Sequence, residues 1–499
     1  MERRNFIRTG LAAAVAPTIG GREAWEALYR VVGQSPGDLE AVRGDGQKVI
    51  IKGPAIRELS QRLRGKLLLA KSPGYDDARR ILNPAIDKHP ALIAQTAGVA
   101  DVQAAVTFAR EYGLLTAVKC GGHSFSGQST CDGGIMIDLG GLRGVRVDAA
   151  AKRATVAGGT LLGQVDQATQ PHDLVTSLGT VSHTGVGGLT TGGGFGRVAR
   201  RFGLALDNVT GVEVVTADGK PVRANGSENP DLYWGVRGGG GNFGIVTSFE
   251  FQLHPMPRRV VGGNMIFPIA KAREVLAWYA EYSNAAPDEL YLDVVLQLPP
   301  GGAPGMVVLH SCYSGPADRA DQVYRAFKPL GDPIANEVKA IEYVDIQRSG
   351  DVSDPRANSL YLKSGFNSQV DGKLIDALVG GLEAHPARMT QFFVAQCGGA
   401  IGRVPTADTA FPHRYAKQDL IVLIAWKAGT DGAPHMAWAR KFWTTLEPFM
   451  RGFYTNDAAD HPAEAIDANY RENFPRLVAV KKKYDPTNLF RLNANVRPA

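Results

Sequence analysis

Cysteine is scarce: four among 499 residues, Cys120, Cys131, Cys312 and Cys397, with no metal-type spacing between them. A zinc ribbon or cysteine-dense scaffold is thereby excluded, and the sequence does not pair the thiols into disulfides. No apolar run approaches the roughly eighteen residues of a membrane-crossing helix, so stable membrane insertion is not expected. The formal charge of +6 is modest, and no basic stripe interleaves with aromatics, so nucleic acid is not an expected partner. Internal repeats and low-complexity tracts are absent as well. Glycine, by contrast, is plentiful at 59 residues, and much of the excess is gathered in three clusters. With 44% hydrophobic and 21% charged residues the composition is globular, and the length exceeds one ordinary core, so two domains are expected.

The first cluster follows a β-type run, Leu114 to Val118, and reads Lys119-Cys120-Gly121-Gly122-His123-Ser124-Phe125-Ser126-Gly127. Glycine lets backbone approach a ligand closely, and successive N–H groups in such a turn form an anion-binding concavity. The loop suits a pyrophosphate, with His123 placed to touch the rest of that ligand. About sixty residues later comes Gly185-Val186-Gly187-Gly188, continuing through Gly192, Gly193 and Gly194 to Arg197 and on to Asp207-Asn208. The third cluster, Gly238 to Gly244, runs into Ile245-Val246-Thr247. Gly239 to Gly244 satisfies G-x-G-x-x-G, but a nicotinamide-binding fingerprint must open a helix, and a β-branched run follows here instead. Near the end stands Lys483-Tyr484-Asp485-Pro486, then Asn493 and Asn495.

Between these blocks, strands are expected at Leu67 to Ala70, Ala91 to Ala94, Leu114 to Val118, Gly134 to Leu139, Ala154 to Ala157, Val212 to Ala217 and Ile245 to Leu253. Tyr75 to Leu82 is expected to be helical. Apolar residues at Val102, Ala105, Val106, Phe108 and Ala109 predict a helix over Val99 to Tyr112. From about Val260 longer strands alternate with amphipathic helices, such as Ile269 to Tyr282 and Arg319 to Phe327. At the N-terminus, Arg3-Arg4-Asn5-Phe6-Ile7-Arg8 precedes a short, weakly apolar stretch. That is a twin-arginine export pattern, which implies the Tat machinery as a partner and a periplasmic or secreted protein.

In their order and spacing, the four blocks resemble the berberine-bridge-enzyme-like branch of the FAD-linked oxidases, over about Leu67 to Pro498. The resemblance implies an α+β fold: a two-subdomain PCMH-type FAD-binding domain plus a substrate domain whose antiparallel sheet is covered by helices. The expected divisions are a signal peptide over 1–25, a lead-in with the start of the FAD domain over 26–85, the PCMH-type FAD-binding domain over 86–256 and the substrate domain over 257–456. Residues 457–499 would then return to the FAD domain. Loading FAD before export would suit the Tat route, which carries folded proteins.

The resemblance also implies roles for particular residues. His123 is expected to be joined covalently to the 8α-methyl of the flavin. Many relatives add a second link from a cysteine four residues before the Gly-Val-Gly-Gly run; that position is Val181 here, so a single link is expected. Lys119, Cys120, Gly121, Gly122, Ser124, Phe125, Thr184, Gly185, Gly187, Gly188, Gly192, Gly193, Gly244, Ile245 and Val246 are expected around the cofactor. Asn493 and Asn495 are expected against the polar edge of its ring. Thr184 falls at the family's oxygen gate, so the acceptor stays open between oxygen and another oxidant, leaning to oxygen.

Hydride transfer from a small-molecule substrate to the flavin needs a base for the proton of an alcohol, phenol or amine. Tyr454, in Tyr454-Thr455-Asn456, matches the family's tyrosine, and His183 is the candidate for sharing its proton. The run Leu420 to Trp426 carries no carboxylate, and Phe202 stands where relatives tend to have tyrosine. These departures predict an unusually apolar substrate pocket. They also keep open two other readings, a dehydrogenase with a non-oxygen acceptor and a flavin- or ligand-binding protein without catalysis.

Overall fold

The computed structural model describes residues 37–384, 389–457 and 461–499, so the twin-arginine segment lies outside the described residues. A four-stranded sheet forms first, in the order Lys66–Leu68, Leu92–Gln95, Ile135–Asp138, Thr116–Lys119. The last three strands run parallel. Both faces of Ile135–Asp138 are buried, which is why this segment is an unbroken apolar run ending in one acid. The helix Val99–Tyr112 joins two of the parallel strands and buries the five apolar residues whose spacing predicted it. It stops at Gly113, whose left-handed φ of 64° lets the chain turn at the helix end.

Asp101, fully buried in that helix's first turn, accepts hydrogen bonds from the amides of Arg64, Gly65 and Ala97 at 2.9, 2.9 and 2.8 Å. It therefore ties the edge strand to the helix. In Asp101→Asn an amide N–H₂ would face one or more of these donors. We expect a loss of about 1–3 kcal/mol of stability, the cost of a buried donor left unmet, measurable by denaturant unfolding.

An antiparallel five-stranded sheet follows, ordered Pro221–Asn225, Val209–Val215, Ile245–Gln252, Arg153–Ala157, Val145–Asp148. The third glycine cluster leads directly into its central strand, not into a helix, which disposes of the nicotinamide motif. Its core takes in Tyr470, Leu477, Val480, Ala494 and Val496 from the far end of the chain. The anchor is Asp485. This fully buried carboxylate accepts from Lys481 Nζ at 2.7 Å and from the Leu489 and Phe490 amides at 2.8 and 2.9 Å.

The third large element is a mixed-length antiparallel sheet. Its long strands lie in the order Arg259–Pro268, Met306–Tyr313, Leu290–Leu298, Thr390–Gln396, Gln418–Lys427, Asn358–Asn367. One face packs Val294, Leu296, Phe392, Val394, Leu420 and Val422 against the helices Ala272–Ala285, Gly372–Ala384 and Ala433–Leu446. The alternate residues turn the other way, toward the glycine clusters. The architecture is α+β, with the helix-covered antiparallel sheet that was expected.

Candidate active site

The first two glycine clusters meet backbone to backbone. A Cβ on Gly121 would run into the Gly185 amide nitrogen, and one on Gly185 into the Cys120 sulfur and the Gly121 nitrogen. Only glycine permits that crossing. Beneath it lies a cleft of about 670 Å³, lined by all three clusters, by Asn493 and Ala494, and by the inner face of the large sheet.

Of the expected cofactor residues, Cys120, Gly121, Gly122, His123, Ser124, Phe125, Thr184, Gly185, Gly187, Gly188, Gly244, Ile245, Val246 and Asn493 line this cleft. Four do not, for physical reasons. Lys119 ends its strand with Nζ turned away, donating to the Ala78 carbonyl at 2.5 Å. Gly192 and Gly193 stand behind the wall, where a Cβ would strike Asn456 and Tyr454 respectively; their role is to admit those side chains. Asn495 lies outside the cleft lining, with its Oδ1 buried and unpaired.

His123 is buried enough that its imidazole pKa falls to about 3, desolvation acting first and the neighbouring His183 second. It is therefore neutral, with one ring nitrogen protonated and the other an acceptor. His183 is not the partner of Tyr454; its Nδ1 lies 2.6 Å from His123 Nε2. The Val352 amide donates to His183 Nε2 at 3.1 Å, so a neutral His183 carries its proton on Nδ1 and donates it to His123. His123 Nδ1 remains on the side of Thr184, whose hydroxyl is 3.4 Å away. The nearby Cys120 thiol is pushed up to about 11 by burial and donates to the Gly158 carbonyl at 3.1 Å, so it is an inert structural group. Among the described residues all four cysteines are free.

Tyr454 lines the opposite part of the cleft. Its phenol oxygen accepts from the Gly194 amide and from Asn456 Nδ2, both at 2.8 Å, so two donors point at the place where phenolate charge would form. Burial nevertheless raises its pKa, so the cradle alone does not ionise it. Phe195 stands edge-on to the ring, centroids 5.2 Å apart. Phe202, the departure noted in the sequence, lies outside the lining and stacks on His254 at 4.3 Å. The aromatic that matters is Phe195.

The expected apolar pocket also needs correction. The strand begins at Gln418, so Asp419 belongs to it and faces the cleft beside Ile421 and Leu423. Asp419 pairs across the sheet with Phe366 and Ala395, and Asp293 with His310. With Val294 opposite Val394, Ala395 falls between the two carboxylates. Asp419 is 4% exposed and its Oδ1 has no partner, which leaves a buried acceptor facing the cleft. Its pKa is raised well above the usual range, by burial first and then by the charges of Asp457 and Asp293. Asp293, bonded to the Tyr291 hydroxyl and the Gln396 amide, is raised to about 6 by burial. Leu360, Leu362, Phe393, Ile421 and Leu423 make an apolar part of the floor, and Gln391, Gln396 and His310 add to its polar part.

Asn493 Oδ1 and Ser129 Oγ are further buried polar atoms of the lining without a partner. Backbone-lined glycine walls plus unmet polar atoms fit a long cofactor with a pyrophosphate and a polar ring edge. Comparison with known proteins agrees. Residues 90–225 match the FAD binding domain family, and residues 453–497 match the family described as berberine and berberine like. An FAD-linked oxidoreductase from Dictyostelium discoideum is 30% identical over 448 residues, 89% of this chain and 97% of that protein. The chain belongs to the berberine-bridge-enzyme-like FAD-linked oxidoreductases.

As a member of that family it is an FAD-dependent enzyme. A xylooligosaccharide oxidase from Thermothelomyces thermophilus is 30% identical, over 82% of this chain and 88% of that one. The crystal structure of 6-hydroxy-D-nicotine oxidase from Arthrobacter nicotinovorans superposes with a TM-score of 0.79 and 26% identity, covering 88% of this chain and 98% of that one. Within this berberine-bridge-like cleft, Asp293, Asp419 and Phe195 are the residues that sequence patterns missed. For the two carboxylates the signal was the period-2 alternation of the strands, which singles out a face only once the partner strands are known. Phe195 lies in the loop after the helix Val186–Gly192 and carried no such signal.

Proposed function

We propose that the protein oxidises an alcohol or amine carbon of a small organic substrate by hydride transfer to FAD held through one covalent link at His123, with oxygen as the acceptor. The observation that carries the catalytic part is the Tyr454 phenol, held by two N–H donors on the wall of the cofactor cleft. Tyr454 takes the substrate proton as its own hydroxyl proton passes on to Asp419 or Asp457 in the ionised form, the two carboxylates whose charges reach the phenol. The apolar part of the floor, Leu360, Leu362, Phe393, Ile421 and Leu423, seats a hydrocarbon or aryl body. FAD bound here supplies the hydride acceptor; the chain supplies position, dryness and proton handling.

The single link is supported by a neutral His123 and by Val181, which has no thiol, in the cleft lining. Attachment is proposed at Nδ1, which gives up its proton as the link forms while Nε2 keeps its hydrogen bond from His183, so His183 acts as a positioning residue. The small Thr184 side chain beside His123 favours oxygen over another acceptor. Export by the twin-arginine route is proposed on the Arg3-Arg4 pattern. A non-catalytic reading loses its support, since Phe202 is outside the lining and the strand does carry a carboxylate.

The test is anaerobic screening of alcohols, sugars, phenolics and cyclic amines for bleaching of the flavin spectrum. We expect at least one class to reduce the flavin and air to restore it. A flavin that no compound reduces would remove the catalytic reading, and one that air does not reoxidise would favour the dehydrogenase.

A further inference from the structure

Behind the Gly-Gly-His loop lies a second cavity, of about 700 Å³. Gly121, Gly122 and His123 line both cavities, and His183 lines this one. The charge here is one-sided. Lys66, Arg80, Lys119, Arg143 and Arg356 line the chamber, and among the described residues its one carboxylate is Asp138, 3.7 Å from Lys119 Nζ. Arg356 is held in place by a 2.9 Å bond to the Ile81 carbonyl. Its pKa is lowered by burial first and by the adjacent Arg80 charge second, which outweigh the opposing charges of Asp77, the salt-bridge partner of Arg80, and Asp354. The three parallel strands end here, at Gln95, Lys119 and Asp138. Outside the carboxyl ends of parallel strands is where open α/β sheets bind ligands.

The flavin cleft on the far side of the loop accounts for none of these five cations. A concave basic chamber of this size fits a small molecule, and its field concentrates anions. Its position argues for an electron acceptor over a substrate. Substrate chemistry belongs to the Tyr454 wall, whereas this chamber meets the flavin cleft at the His123 loop and beside it at Leu82 and Val352.

We propose that the chamber binds a small anionic electron acceptor, which serves beside oxygen and takes electrons from the reduced flavin across the His123 edge without entering the substrate cleft. This rests on the reading that the ring's dimethylbenzene edge is tethered at His123. The reduced flavin gives up two electrons and two protons. Two equivalents of a one-electron acceptor take one electron each, and the protons pass to solvent.

The test uses the FAD-loaded protein, reduced anaerobically with stoichiometric dithionite and mixed by stopped flow with ferricyanide or with neutral 1,4-benzoquinone. Charge reversal at two exposed chamber residues, Arg143→Glu with Arg356→Glu, should slow reoxidation by ferricyanide at least about tenfold, the lower end of electrostatic steering. Benzoquinone should be unaffected. A control reversal at exposed sites outside the chamber, Lys328→Glu with Lys373→Glu, alters net charge equally and should leave both rates alone. Should the double variant fold poorly, Arg143→Gln alone should still slow ferricyanide selectively. An unchanged ferricyanide rate, an equal loss with both acceptors, or the same loss in the control would overturn the proposal. Release of flavin by acid would instead strike the tethering, and the ferricyanide comparison would still decide whether the chamber binds anions.

Discussion

A His123→Ala variant should release all of its flavin on acid precipitation, whereas the unaltered protein should keep yellow, fluorescent flavin through denaturation and on one tryptic peptide containing His123. The reasoning is chemical. Attachment needs a nucleophile with a lone pair at the cofactor wall, and burial keeps His123 neutral down to about pH 3. The thiols nearest it are poor alternatives, since burial raises Cys120 to about 11 and Cys131 to about 12. Cys131→Ala should therefore keep its flavin bound. His183→Ala leaves Nε2 of His123 without its donor and should lower the attached fraction, with partial rescue by His183→Gln. Acid-released flavin in the unaltered protein would end the covalent reading, and loss only in Cys131→Ala would move the link to that thiol.

The rate of flavin reduction in Tyr454→Phe should fall by about two orders of magnitude or more, within the roughly 10²–10⁴ that general-base assistance supplies. Stopped-flow reduction under anaerobic conditions, with the best substrate from the screen, measures it directly. The phenylalanine keeps the ring against Phe195 but leaves the Gly194 amide and one Asn456 N–H without an acceptor, while the other still reaches the Leu189 carbonyl. A stability loss of about 1–3 kcal/mol should accompany the change, and flavin content should survive. Asp419→Asn separates the two roles of the site. If the carboxylate receives the proton onward from Tyr454, this variant slows reduction while the tyrosine cradle stays intact. A fall of less than about threefold in Tyr454→Phe, well below the range for a base, would make the tyrosine structural. Asp419 would then be the residue to test as the base.

The glycine clusters, the helix Val99–Tyr112, His123 and the Tyr-x-Asn segment were all legible in the sequence, because their demands are local. A backbone crossing tolerates no Cβ, a helix face repeats every three to four residues, and a loop displays its imidazole whatever lies opposite. Tertiary structure decided the rest. The stretch Gln418–Lys427 is covered on both faces, by helices and by the cleft, so its apolar run hides which residues face which side, and Asp419 looks like a boundary. Register across strands more than a hundred residues apart sets Asp293 and Asp419 on one row around Ala395. The same is true of His183. Sixty residues separate it from His123, and only the contact between two glycine loops brings the rings together. Phe195, not Phe202, turned out to flank Tyr454 for the same reason: sequence spacing assigns residues to a loop, but packing against a distant strand assigns them to a site.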